Sequence, residues 1–242
     1  MSVPEQTQPE DFDPIFSQDV VIVDGHAVNL WASYYAARGD AVLAGFAPFT
    51  SKDADIFVKD KELALAIAAM AGWEFRNNPE PRSPVLGAII LRRGDVELQV
   101  DVLRAVTGLT AADLNATETI TFENGKSYSV PAPDVMLKAK LANLKSHDQT
   151  NRQDERHVRI LIHVCRHYLL DTVEAVHAGE LTEREVIERF MATLRTVASA
   201  QKLNDSFGLN LGAAIPAKAD LPKRGSLTKL NAFYDHQIAK RG

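Results

Sequence analysis

Cysteine is nearly absent. Cys165 is the only one in 242 residues, which rules out an internal disulfide and fits a reducing compartment. Long apolar runs are missing too, since none approaches the roughly 20 residues that span a bilayer. Residues 1–17 are acidic and lack the basic and apolar regions of a secretory signal, so the expectation is a cytoplasmic protein with no membrane partner. No internal repeat or low-complexity tract is visible. Excess charge is small, and a net charge of −5 argues against a whole surface devoted to nucleic acid. What the chain does have is 45% hydrophobic residues, enough over this length for one large domain or two small ones.

The charge is unevenly placed. From Lys138 to Arg166 seven basic residues face three acids, and from Lys218 to Gly242 six face two. A solvated helix face and a phosphate-binding surface account for such an excess equally well.

Residues 1–18, rich in Pro, Gln and acids, read as a disordered leader. Val20–Val23 is a short apolar strand, and Asp24-Gly25 is a turn signal feeding a helix from His26 to Arg38. A second strand covers Asp53–Val58, followed by a helix over Lys61–Ala71 that Gly72 ends. Leu86–Arg92 and Val96–Leu103 flank Arg93-Gly94-Asp95 as a hairpin, and Thr119–Phe122 with Tyr128–Val130 make another around Asn124-Gly125. After Pro131 and Pro133 the periodicity turns helical: Leu137, Leu141 and Leu144, then Asp154, Val158, Leu161 and Cys165. Thr182 and Glu185 form a capping box, and a last helix spans Leu227–Ala239. The expected architecture is α+β: a mixed-sheet module over residues 19–131, then a helical domain over 132–242.

Carboxylates dominate the candidate site. Side chains alternate along a strand, so Asp53 and Asp55 share a face, and Asp101 lies opposite the apolar face of Val96, Leu98, Val100 and Val102. Like charges so placed raise each other's pKa and become stable chiefly around a cation; magnesium or manganese is the natural occupant. Chance tempers this reading, because 18 Asp in the chain make about one Asp-x-Asp triplet expected, and Asp11 and Asp13 form a second. Solvated strand-end carboxylates are the simple alternative.

Gly25 is either a phosphate-cradling residue at a helix N-terminus or a plain turn glycine. Lys140 sits about 60° around its helix from Leu137, bordering the buried face, where it needs a partner: a nucleotide phosphate or a structural carboxylate. Asp154, on the apolar stripe of its own helix, pairs internally or acts as an N-cap. His26, beside the Gly25 turn, touches substrate or merely begins a helix.

This order of elements resembles the nucleotidyltransferase superfold of DNA polymerase β type and, within it, the AbiEii-type nucleotidyltransferase toxins and their relatives. The resemblance implies that the segment around Asp24-Gly25-His26 holds a triphosphate. It implies that Thr50-Ser51-Lys52-Asp53-Ala54-Asp55-Ile56 binds two metal ions, with Asp101 as third carboxylate and proton acceptor. Lys140 matches the family's functional lysine, and Asp154 its later Arg-Asp or Lys-Asp segment. The nucleotide-binding set is then Gly25, His26, Ser51, Lys52, Lys140 and Asp154. The chain departs from the pattern twice. The first turn usually reads Gly-Gly or Gly-Ser in the family, whereas here Asp24 precedes Gly25 and His26 follows it, and Phe49 stands where many relatives carry arginine, a charge Lys52 would replace. The implied activity is metal-dependent transfer of a nucleoside monophosphate from a nucleoside triphosphate to a hydroxyl of tRNA or protein. A toxin role opposite an antitoxin partner belongs to the same resemblance. The alternative, motivated by Asp24 and Phe49, is a non-catalytic binding or regulatory module on the same fold.

Overall fold

A computed structural model of the chain describes residues 6–93, 95–222 and 227–238. The protein is α+β, with a seven-stranded mixed sheet in its N-terminal part and a largely helical C-terminal region. Strands are β1 (Val21–Val23), β2 (Ala54–Phe57), β3 (Glu74–Asn77), β4 (Val85–Arg93), β5 (Val96–Leu103), β6 (Thr117–Thr121) and β7 (Ser127–Pro131). Their spatial order is β3-β4-β5-β2-β1-β7-β6. Only the β2–β5 and β1–β7 pairs are parallel.

Helices in the first part are α1 (Asp13–Phe16), α2 (Asp24–Ala37), α3 (Ala41–Ala44), α4 (Lys61–Ala71), α5 (Ala111–Asn115) and α6 (Pro133–Ser146). Then follow α7 (Asp154–Ala178), α8 (Glu183–Ser199), α9 (Gln201–Phe207) and α10 (Thr228–Phe233). No described helix is long and apolar enough to cross a membrane.

Contacts divide the chain into two units, residues 1–160 and 161–242. The expected boundary at Pro131 therefore falls inside the first unit, which keeps α6 and the first turns of α7. A proline marks where the backbone changes conformation, and that need not be where packing ends.

Strand alternation builds the core of the first unit. Ile22, Ala54, Ile56, Ile89, Val100 and Val102 are all buried and lie in register on one face of the sheet. Asp55 and Asp101 belong to the opposite face. In the second unit Leu169, Val173, Val186, Phe190, Leu221, Leu227, Leu230 and Tyr234 form a separate core. The Thr182 hydroxyl and Glu185 carboxylate close a reciprocal capping box at the start of α8.

Several expectations need correction. Residues 6–18 are not a structureless leader; residues 1–5 lie outside the described residues. Thr7 pairs with Ser51 through two backbone hydrogen bonds of 2.8 and 3.1 Å. A 3-10 turn (Pro9–Phe12) runs into α1, and Phe12, Ile15 and Phe16 are fully buried. The acidic composition concealed three large apolar residues at helical spacing, which is enough to dock a short segment. Asp24-Gly25 is not a turn ahead of a helix: α2 begins at Asp24 itself, with φ at +53°. Strand β3 was not anticipated. The hairpin of β4 and β5 forms, its Gly94 lying outside the described residues. The last helix is shorter than expected, α10 passing into a π turn over Tyr234–Ile238, and Ala239 again lies outside the described residues.

Candidate active site

Register brings the carboxylates together. Asp55 on β2 and Asp101 on β5 are direct Cα partners in a parallel ladder, and Asp53 immediately precedes β2. On the other side of β2, Val23 of β1 is the antiparallel partner of Asp55, so the chain leaves β1 and enters α2 beside that carboxylate. The result is a cavity of about 240 Å³ between the strand ends, the N-terminus of α2, Lys140 of α6 and the start of α7.

Eight of the nine residues expected at a site line this cavity: Gly25, Ser51, Lys52, Asp53, Asp55, Asp101, Lys140 and Asp154. The ninth does not. His26 is fully buried on α2, held edge-on by Phe12 and Phe16 with its Nε2 at 3.1 Å from the Thr7 hydroxyl. Burial lowers its pKa to about 4, so it is a neutral packing residue that orders the N-terminal segment. Asp24, from the segment expected to hold a triphosphate, also lines the cavity, as do Asn151, Arg152, Gln153 and His157, which were not among the expected site residues.

Electrostatics sets Asp55 apart. Burial, with Asp101 and Asp53 adding to it, raises its pKa to about 7, so near neutral pH it retains much of its proton. Burial raises Asp101 too, opposed by a hydrogen bond of 2.7 Å from the Gln99 amide. Among the described residues no three His, Cys, Asp or Glu side chains are gathered closely enough to form a ready-made metal site. The donor chemistry nevertheless fits a hard divalent cation: three oxygen donors border one cavity, and a cation would replace the proton that Asp55 keeps.

Lys140 and Asp154 are each about 2% exposed. The Lys140 ammonium donates to Asp154 Oδ1 at 3.1 Å and also to Asp24 Oδ1. Asp154 accepts as well from Arg152 Nε at 2.5 Å and Asn143 Nδ2 at 3.3 Å. Asp154 thus serves as an internal partner, and its three donors overcome burial to hold it below the usual carboxylate range. Burial lowers Lys140 to about 8 although Asp154 pulls the other way. Of the two partners open to Lys140, structural carboxylates are the ones it has.

His157 is 3% exposed, and neither ring nitrogen has a hydrogen-bond partner among the described residues. Burial, then the positive charges of Lys140 and Arg156, keep the ring neutral. Gly25 of α2 packs against Ser51 and against His157 of α7. A Cβ there would overlap the Ser51 hydroxyl and meet His157 Cε1 at 3.4 Å. Gly25→Ala is expected to cost about 1–3 kcal/mol, read as a shift of the urea midpoint with unchanged slope.

A second cavity of about 250 Å³, bordered by Thr7, Phe12, Ala54, Glu97, Leu98 and Gln99, shares Lys52, Asp53 and Asp101 with the first. No protein-family model matches the chain, and no curated protein matches it in sequence.

Proposed function

We propose that the protein is a divalent-cation-dependent nucleotidyltransferase that moves a nucleoside monophosphate from a nucleoside triphosphate to an acceptor hydroxyl. The observation that carries this reading is the registered pair Asp55 and Asp101, with Asp53 beside them, lining a cavity that a helix N-terminus and a buried lysine also line. A cation held by Asp53, Asp55 and Asp101 would neutralise charge on the transferring phosphorus and the leaving pyrophosphate.

The rest falls to the chain's own groups. The first turn of α2, a 14-residue helix, offers backbone amides and the positive end of its dipole to a phosphate. Ser51 adds a hydroxyl on the far side of Gly25, and exposed Lys52 a mobile charge. In the transfer, an acceptor O–H oxygen bonds to the α-phosphorus and the α–β P–O bond breaks with its electron pair leaving on pyrophosphate. Asp101 takes the hydroxyl proton, directly or through water. The two cavities on either side of Asp53 and Asp101 fit a donor on the Lys140 side and an acceptor on the other.

A second reading, the non-catalytic binding module, gains from one observation. The Lys140 charge is already shared between Asp24 and Asp154, which leaves less of it for a triphosphate. Turnover separates the two. The native chain and an Asp53→Ala, Asp55→Ala double variant are incubated with each α-labelled nucleoside triphosphate, magnesium or manganese, and RNA and protein extracts. Label on a discrete RNA or protein band with the native chain alone is the expected result. No transfer by the folded native chain with any nucleotide would leave the binding module. The tRNA acceptor, a protein acceptor and an antitoxin partner rest on the resemblance, and the labelled band decides between the first two.

A further inference from the structure

Four charges meet in the lining of the cavity: Lys140 and Arg152 against Asp24 and Asp154. The group is neutral as it stands, and its members differ in their access to water. The Lys140 and Asp154 side chains are 3% and 2% exposed, so neither can leave without stranding a charge. Asp24 is 34% exposed and sits at the first residue of α2 with φ at +53°, a left-handed conformation that asparagine and glycine adopt more readily than most residues. Beside this group His157 lies buried in the cavity wall with both ring nitrogens unpaired, a polar surface that calls for a ligand or water.

We propose that Asp24 is the specificity-determining residue of this cavity: its carboxylate holds the place on Lys140 that a phosphate group of an entering polyphosphate must take. The inference rests on the reading of the cavity as a triphosphate site. Rotation of Asp24 toward solvent leaves Lys140 and Arg152 against Asp154 alone, a net charge of one that a phosphate oxygen can meet. Lys140 Nζ has three donors, so it can keep Asp154 while exchanging Asp24 for the ligand. A carboxylate in this position also penalises a free, highly charged polyphosphate more than its magnesium complex, which carries less negative charge to the same place.

The test is calorimetric titration of inorganic tripolyphosphate and of each nucleoside triphosphate, with chelator and with magnesium, at low ionic strength. The proteins are the native chain, Asp24→Asn, and Asp24→Asn combined with Lys140→Met. Asparagine keeps the shape and the backbone conformation, and the double variant removes one charge of each sign, so both retain a neutral or singly charged group around Asp154. Asp24→Asn is expected to bind tripolyphosphate about tenfold tighter than the native chain in chelator, the scale of one hydrogen bond to a charged group. The gain is expected to shrink with magnesium and to vanish when Lys140→Met is added. Equal or weaker binding by Asp24→Asn, or a gain that survives Lys140→Met, overturns the inference. Nucleoside triphosphate binding by the native chain that Asp24→Asn leaves unchanged removes the inference and spares the functional reading. Tighter tripolyphosphate binding without binding of any nucleoside triphosphate does the reverse, and no binding of either probe removes both.

Discussion

Asp55→Asn is expected to lower the proposed nucleotidyl transfer by roughly a hundred- to a thousand-fold, the scale of losing one preorganised charge-stabilising group, while making the folded chain more stable at neutral and higher pH. The two effects share a cause. Asp55 is 9% exposed and sits beside two other carboxylates, and burial with their charges raises its pKa from 3.8 to about 7. Between those values the folded chain holds a proton that the unfolded chain has released. Stability therefore falls as pH climbs through that window and stays lower above it. The gap corresponds to about 4 kcal/mol at most, and relaxation or water entry would reduce it. Asparagine cannot ionise, so the variant escapes the penalty. Urea unfolding at about pH 5 and about pH 8 reads it: the native chain loses stability between them and Asp55→Asn does so much less. Parallel losses in both proteins would mean that Asp55 is not the titrating group.

Magnesium supplies a second readout of the same carboxylate. A cation that binds only the folded chain raises its melting temperature by mass action. The expected rise at about pH 8, where Asp55 has given up its proton, is present in the native chain and absent in Asp55→Asn. Were both proteins to respond equally, the cation would be binding elsewhere, and the carboxylate cluster would be an acidic strand end without a metal role.

Much of this arrangement was legible because strand periodicity is rigid. Alternation put Asp53 with Asp55 and set Asp101 opposite Val100 and Val102, and the parallel β2–β5 ladder then made Asp55 and Asp101 neighbours. The pairing itself could not be read, since nothing local says which strand lies beside which. Helix α4 was legible to the residue because Asp60 caps it and Gly72 ends it at φ +71°. The misses came from segments whose local signal pointed the wrong way. Phe12, Ile15 and Phe16 are three apolar residues in an acidic, proline-containing stretch, and burial against the rest of the first unit outweighs that composition. His26 was drawn to the site by its nearness to Gly25, yet on a helix adjacent residues point about 100° apart, and the face it occupies is the packed one. His157 and Arg152 carried a weak sign in the expected Asp154 segment. His157 stands three positions after Asp154, the spacing that places those two on one helical face, whereas Arg152 precedes α7 and reaches Asp154 from the loop.

Lys140→Met is expected to cost about 3 kcal/mol of stability, the lower end of what breaking a buried ion pair costs. Asp154 is the reason. At 2% side-chain exposure it cannot turn to water, so without Lys140 its charge is left with only Arg152 and the Asn143 amide. Asp24, at 34% exposure, can turn away and adds little. The loss should narrow as pH falls, because Asp154 is held below the usual carboxylate range only while its cations remain, and a protonated Asp154 needs no ammonium. Lys140 itself is no net stabiliser: burial lowers it to about 8 despite Asp154, which means desolvation outweighs the attraction. Removing both members should therefore be milder than removing one. Lys140→Met combined with Asp154→Asn is expected to recover more than half of the single-variant loss in urea unfolding, since Arg152, 39% exposed, can return to solvent. A double variant as unstable as Lys140→Met would trace the loss to the packing of the lysine stem, and the charge group would then be kept for the ligand rather than for the fold.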